Sequence, residues 1–472
     1  MLLPVNHAEH FKINQIGGFN LNKQLLKKLL VFTVILSVLL TLVCQTSFAT
    51  PSAVTLVESP DGYYTLYKDG APYFIKGGAT MLNGNGADPG FAQLAAAGGN
   101  SVRTWGAAND PVMFDAAYSM GLTVCAGLWL NRYYEMDYSN PVQVQQQHDA
   151  LISYVQANKD HPAILLWGVG NEYEGDGSDP NVWMAVEQIA ASIKAIDPDH
   201  PTLTVIAGFS PTKVDMIKAY CPSIDIIGFN SYAGLSVFPS YLSALDLDRP
   251  YIITEYSTNG QWESPLVHLG ANDVPIEKNS YDKANYILDN YNTSIVNPLN
   301  STITKFSLGS YAYFWGLEPI FSGTHTWFET HLLSTYEKLN TVDVLTKVWT
   351  WSYPSDRCPT ISDISCASAS GKEVAPGGKY LAAVTASDPE SANITYTWEV
   401  RPEIFAQGQP QAPIAGSIVQ QSGKYVIFQA PATEGSYRLF VYVRDGSGHA
   451  ATANFPFYSK PGIAVPPDPA IP

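Results

Sequence analysis

The chain has 472 residues, more than one ordinary domain holds and fewer than three need, so a large unit with a small companion is expected. Its formal charge of −16 argues against a nucleic-acid surface, which needs clustered Lys and Arg to displace counterions from phosphate. With 46% hydrophobic residues, 14% charged residues and no long polar tract, the composition excludes an extended disordered chain and supports a sizeable core.

The N-terminus carries Lys23, Lys27 and Lys28, then an apolar run from Leu29 to Val43, then the small-x-small string Ser47-Phe48-Ala49. Basic, apolar and cleavable segments in that order read as a signal peptide over residues 1–49. The run is shorter than the ~20 residues a spanning helix needs. Removal is therefore expected over permanent anchoring, with a secreted or cell-envelope (periplasmic) product and no stable membrane span afterwards. Cys44 leaves with this segment. Of the other four cysteines, Cys125 and Cys221 lie in or beside apolar runs and are expected as buried thiols. Cys358 and Cys366, close together, are the one pair expected to form a disulfide in an oxidising compartment.

Residues 50–356 open with "YYTLYKDGAPYF", a hairpin turning at Lys68-Asp69-Gly70. Eight short apolar runs then alternate with helical stretches. They are "YFIKGGA", "NSVRTWG", "LTVCAGLWL", "AILLWGVGNE", "TLTVIAG", "IDIIGFNSY", "YIITEYS" and "GSYAYFWG". After the fourth run, Val182, Val186, Ile189, Ala190, Ile193 and Ile196 recur at helical spacing, and "IDPDHP" ends the helix. Near-continuous apolar strands imply burial on both faces, as a parallel sheet requires. The expected fold is α/β, a (β/α)₈ TIM barrel with the hairpin as a lid on its lower end. From 357 to 460 the pattern changes to period-two strands separated by Gly, Pro, Asp and Ser, which reads as a C-terminal immunoglobulin-like β-sandwich. Residues 461–472 form a Pro-rich tail expected to be extended or unstructured.

In such barrels the reactive groups gather at the C-terminal ends of the strands. The fourth run ends in Asn171-Glu172 and the seventh reaches Glu255, and strands four and seven face each other across a closed eight-stranded mouth. Two facing carboxyls suit glycoside cleavage, in which one protonates the leaving oxygen and the other attacks or supports an oxocarbenium-like transition state. Held close, they cannot both ionise easily, so one keeps its proton. Arg103 at the end of the second run and Tyr232 at the end of the sixth are placed to favour the charged form of Glu255, leaving Glu172 as the acid.

The strings "WGVGNE" and "YIITEY", with "VRTWG" and "GFNSY" on the right strands, resemble clan A of the glycoside hydrolases, in the style of the β-galactosidase, β-glucuronidase and β-mannosidase barrel. The resemblance covers about Tyr63 to Trp351. It implies a retaining, metal-free enzyme in which Glu172 is the acid/base, Asn171 meets the sugar 2-hydroxyl and Glu255 is the nucleophile. Arg103 and Tyr232 then match positions that orient the nucleophile, and Trp315 matches the aromatic floor beside the cleaved bond. The family's large N-terminal sandwich domains are absent from the sequence, and a histidine common near strand three is replaced by Leu130-Asn131-Arg132, so the family name does not carry the substrate. The C-terminal segment, with "ASDPES", "TYTWEV" and "VYVRDGSG", resembles a polycystic-kidney-disease or immunoglobulin-like module, which spaces or stiffens.

Glu318 is a further candidate for contacting sugar hydroxyls. Trp105, Trp129, Tyr133, Tyr134 and Trp262 lie near strand ends, where a sugar groove and ordinary packing are equally expected. Glu174, Asp176 and Asp179 read as a solvated loop rather than a cation site, and His161, His268 and His325 as solvated or helix-end histidines. The expected partner is a β-linked oligo- or polysaccharide, with no cofactor and no metal, cleaved by double displacement. The alternatives are a transglycosylase using the same site and a non-catalytic polysaccharide-binding protein.

Overall fold

The computed structural model describes residues 50–472 apart from 82–89, 107–110, 264–268, 319–322, 334, 392 and 405–407. The expected signal peptide, Cys44 and His268 lie outside the described residues.

The chain enters through three antiparallel strands, β1 (Val54–Glu58), β2 (Tyr64–Lys68) and β3 (Ala71–Pro72). The β2–β3 turn sets Asp69 and Gly70 at φ 51° and 79°, the pair of left-handed residues that matches strand twist in a two-residue hairpin. Ser52 Oγ donates to Ile164 O, Val54 N to Asp199 O and Tyr73 OH to Asn100 O. All three acceptors precede or begin barrel strands, so this small sheet caps the lower end.

Eight parallel strands close the barrel: β4 (Ile75–Ala79), β5 (Ser101–Arg103), β6 (Thr123–Leu128), β7 (Ile164–Asn171), β8 (Thr202–Ala207), β9 (Ile226–Asn230), β10 (Tyr251–Tyr256) and β11 (Ser307–Ala312). Each lies in one of the eight apolar runs, and β6, β7, β9 and β10 are buried at every position, as strands covered on both faces must be. The covering helices are α1 (Gly90–Ala96), α2 (Pro111–Ser119), α3 (Pro141–Asn158), α4 (Pro180–Ile196), α5 (Pro211–Tyr220), α6 (Phe238–Leu245), α7 (Ser280–Asn290), α8 (Ser301–Phe306) and α9 (Asn340–Thr350). Asn140, Asp179 and Ser210 cap α3, α4 and α5 with side-chain oxygens, each followed by a proline whose missing N–H costs nothing in the first turn. On α4, Val182, Val186, Ile189, Ala190 and Ile193 form the buried stripe read from the spacing.

Two four-stranded sheets follow. One has the order β12 (Thr360–Ser365), β14 (Lys379–Ser387), β17 (Tyr425–Gln429), β16 (Ile418–Ser422). The other runs β13 (Glu373–Val374), β19 (Ala450–Ser459), β18 (Gly435–Arg444), β15 (Thr395–Pro402). Their inner faces share one core, including Trp398, Phe428, Leu439 and Phe455. The expected Cys358–Cys366 disulfide is absent, and both are buried free thiols. The six residues of β12 lie between them, and extended chain at ~3.3 Å per residue carries the two far beyond the ~7 Å limit for Cα atoms of a bridge. Cys125 and Cys221 are also buried and free.

The sandwich is not loosely tethered, because barrel and sheets form one compact unit from Thr50 to Pro472. At the junction Glu277 accepts from Lys283, Thr324, Thr326 and Asn454. Arg438 donates to Asn454 Oδ1 at 2.6 Å and to Pro275 O at 2.8 Å, and its Nε pairs with Glu403 at 2.9 Å. Burial alone would raise the Glu277 carboxyl, but the Lys283 and Arg438 charges and these donors outweigh it and hold the group down at about 2. His325, expected as a solvated histidine, is instead buried here with Nε2 2.8 Å from Tyr442 OH, and burial pushes its pKa down to about 4.

Because Glu277 is depressed in the folded state, its charge stabilises the protein above the ordinary carboxyl pKa, and that contribution fades as pH falls toward about 2. Glu277→Gln strands the buried Lys283 ammonium, and a loss of about 3–5 kcal/mol is expected in urea unfolding at pH 7. The gap between native and variant should shrink steadily below pH 4.5. A gap that widens in acid would contradict the assigned charge state.

Candidate active site

Both glutamates follow an irregularity in their strands. The β7–β8 register slips between Val169 and Asn171, and the β9–β10 register slips between Ile253 and Glu255. Such bulges re-aim the side chains beyond them. On β7 the bulge is built on Gly170 at φ 80°, where a Cβ would collide with the Tyr173 ring, and Glu172 follows at φ 48°, an uncommon and costly conformation for a glutamate. Its N–H is held by Val205 O at 3.0 Å.

The side chains meet in one continuous network. Arg103, only 2% exposed at the end of β5, donates from Nη1 to Glu255 Oε1 at 2.9 Å and to Thr254 O at 3.1 Å, and from Nη2 to Asn171 Oδ1 at 2.6 Å. Glu255 takes two more donors, Trp105 Nε1 on Oε1 at 2.6 Å and Tyr232 OH on Oε2 at 2.8 Å. Asn230, at the end of β9, donates from Nδ2 to Glu172 Oε1 at 2.8 Å and to Asn171 Oδ1 at 3.1 Å, while Thr254 Oγ1 holds its Oδ1 at 2.7 Å. Glu255 is thus surrounded by donors that favour its anion. Glu172 has one such donor. Burial and the nearby Glu255 charge raise it to about 7, with Asn230 and Arg103 opposing.

Both carboxyls line a cavity of about 910 Å³, within the range of small-molecule sites. Asn171, Tyr232 and Glu318 line it as well, so the sequence brought these residues to one place. Arg103 stands behind Glu255. Glu318 is 4% exposed, and its charge, added to burial, pushes the neighbouring Glu329 carboxyl well up. Trp315 does not reach the cavity. It is fully buried, donates Nε1 to Gly90 O at 2.8 Å and packs on Trp349. Tyr313 and Phe314 supply the aromatic wall on that side. Of the aromatic candidates, Trp105, Trp129 and Trp262 line the cavity, whereas Tyr133 and Tyr134 stand exposed outside it.

Sequence reasoning missed three contributors. Asn230 is the last residue of β9, two positions before the Tyr232 that the reading of this run singled out. Glu263 closes one side, its carboxylate oxygens accepting Ala233 N–H and Gly260 N–H, and it lies in a loop with no strand signal. Arg132 lines the cavity too. The loop acids are structural: Glu174 is buried against Lys213 at 2.7 Å, Asp176 binds Ser178, and Asp179 caps α4. Among the described residues the His/Asp/Glu group with ligand-like spacing is Asp356, Asp445 and His449, near the sandwich junction. Lys338 Nζ, 3.2 Å from the other His449 ring nitrogen, already supplies positive charge there.

The closed (β/α)₈ barrel carries two glutamates at the ends of its fourth and seventh strands, Glu255 wrapped in donors and Glu172 raised to about 7. Residues 91–305 match the family described as glycosyl hydrolases family 2, TIM barrel domain. A β-galactosidase of Vibrio vulnificus is 26% identical over 162 residues, which are 34% of this chain and 15% of that protein. One of Photobacterium profundum is 26% identical over 163 residues, 34% of this chain and 15% of its own length. Among solved structures, Bacteroides uniformis beta-glucuronidase 2 covalently bound to cyclophellitol-6-carboxylate aziridine superposes with a TM-score of 0.50 at 12% identity, over 86% of this chain and 48% of the other. That likeness concerns the fold. The chain spans less than half the length of these relatives.

The charge of Glu255 contributes to the raised pKa of Glu172, so Glu255→Gln should move the Glu172 titration downward while burial keeps it above the ordinary carboxyl value. Carbon-13 NMR of labelled glutamate carboxyls reads this directly. An unchanged or higher value would mean that the two groups do not interact.

Proposed function

We propose that this protein is a retaining β-glycoside hydrolase acting on neutral β-linked sugars by double displacement. The observation that carries the reading is the division of labour in one cavity: Glu255 accepting from Arg103, Trp105 and Tyr232, and Glu172 raised to about 7, near the range a general acid needs at neutrality.

In the first step a Glu255 oxygen bonds to the anomeric carbon, the glycosidic C–O bond breaks, and Glu172 gives its proton to the departing oxygen. The product is a glycosyl ester on Glu255 and a Glu172 carboxylate. In the second step Glu172 takes a proton from water as the water oxygen attacks the anomeric carbon, and Glu255 leaves as a carboxylate. Two inversions return the starting configuration. Asn171, its carbonyl oxygen occupied by Arg103 and Asn230, is oriented to offer its amide nitrogen to the sugar 2-hydroxyl. Arg103 offsets negative charge on Glu255 as that charge is consumed and restored.

The relatives named above pose a choice between a neutral galactoside and an anionic glucuronide. Four carboxyls line the cavity, Glu172, Glu255, Glu263 and Glu318, against one cationic side chain among the described lining residues, Arg132. That balance disfavours a second negative charge on the sugar and supports the neutral class.

Glu255→Gln should lower kcat at least about 10⁴-fold. Glu172→Ala should lose turnover on poor leaving groups, should be sped by azide on an activated aryl glycoside, where azide takes the place of water in the second step and gives a β-glycosyl azide, and should lose the fall in activity above about pH 7. Neutral aryl β-glycosides should outpace the matching β-glucuronide. Full activity in both variants would remove the assignment, and a preference for the glucuronide would remove the neutral class.

A further inference from the structure

Beside the main cavity lies a second hollow of about 420 Å³, between the loop that follows β6 and the outer face of α3. Trp129 belongs to the walls of both, so the two hollows adjoin at its side chain. Trp129 is 38% exposed, and the Arg132 guanidinium sits over its ring, 5.6 Å from the centroid. A fixed indole with an open face at the junction of two cavities is a platform for the C–H face of a sugar ring.

The remaining wall is made of carboxamides. Gln143, Gln146 and Gln147 line the hollow together with Asn131. Gln147 Oε1 accepts Asn131 N–H at 2.8 Å and Gln143 Oε1 accepts Asp137 N–H at 3.3 Å, so these two amides are held in place by the loop rather than left to rotate in solvent. Planar amides so held present donors and acceptors that match sugar hydroxyls at small entropic cost. The one charged residue in the described lining is Glu135, whose carboxylate accepts the Arg132 backbone N–H at 2.8 Å, and the Arg132 guanidinium lies over the Trp129 ring rather than in that lining.

We infer that this hollow is a distal subsite for a neutral sugar unit, three or more units along an oligosaccharide whose cleaved linkage lies between Glu172 and Glu255. The inference rests on the proposed hydrolase reading and adds to it that the natural substrate is a chain rather than a small glycoside. Trp129 carries the chain from one cavity to the next, and the glutamines of α3 hold its outer end.

Binding to the inactive Glu255→Gln chain tests this apart from turnover. Calorimetric titration with cello-, manno- and β-galacto-oligosaccharides of two to six units should show affinity rising with length in at least one series. Adding Gln143→Ala and Gln146→Ala, both exposed on α3, should cut the ratio of longest-ligand to disaccharide affinity about tenfold, and Gln146→Ala alone should cut it in part. Affinity independent of length in all three series, or a ratio untouched by either glutamine variant, would overturn the subsite. A native chain without turnover on any glycoside would instead defeat the catalytic reading, so the two failures are told apart.

Discussion

The buried guanidinium of Arg103 is the interaction on which the rest of the site depends. A cation at 2% exposure costs several kcal/mol in lost hydration unless every face of it is answered. Here the answers come from the ends of two strands on opposite sides of the barrel mouth: Glu255 and the Thr254 carbonyl on β10, and the Asn171 side-chain carbonyl on β7. Arg103 is therefore a geometric tie as well as a charge, since its planar fork fixes how far the ends of β7 and β10 stand from β5. The asymmetry of the two glutamates follows. Glu255 is paired with the cation, and its charge works with burial to raise the Glu172 pKa to about 7.

The sandwich enters the same chain of cause. Its β18–β19 face supplies Arg438, Tyr442 and Asn454 to the junction around Glu277, which also holds Thr324 and Thr326 of the segment after β11. Two residues on, Phe328 packs at 5.4 Å from the Tyr232 ring and 5.5 Å from Tyr313. Tyr232 in turn donates to Glu255. A module that the sequence presents as a spacer thus braces the wall behind the Glu255 donor, and the buried Glu277–Lys283 pair fixes the strand-eight loop in register with it.

Much of the barrel was legible because its strands are short apolar runs separated by capped helices, and the strand-end rule then pointed to Arg103, Asn171, Glu172, Tyr232 and Glu255. What was not legible depended on direction rather than position. Trp315 and Tyr313 stand two residues apart after β11, yet Trp315 turns into the core against the glycine backbone of β4, where Gly78 leaves room for it, and Tyr313 faces the cavity. Nothing in residue type separates them. The Cys358–Cys366 expectation counted residues without asking their conformation, and a six-residue strand between them decided the matter. His325 looked like a loop histidine because the surface that covers it, carrying Tyr442, lies more than a hundred residues downstream.

The central claim is that Glu255 forms a bond to the anomeric carbon while Glu172 manages the proton. Incubation with a 2-deoxy-2-fluoro-β-glycosyl fluoride of a turned-over sugar, followed by peptide mass mapping, addresses it most directly, because the fluorine slows release of the intermediate more than its formation. The account predicts one sugar per chain, carried on Glu255. A label on any other residue, or turnover with inverted anomeric configuration and no label, would contradict it.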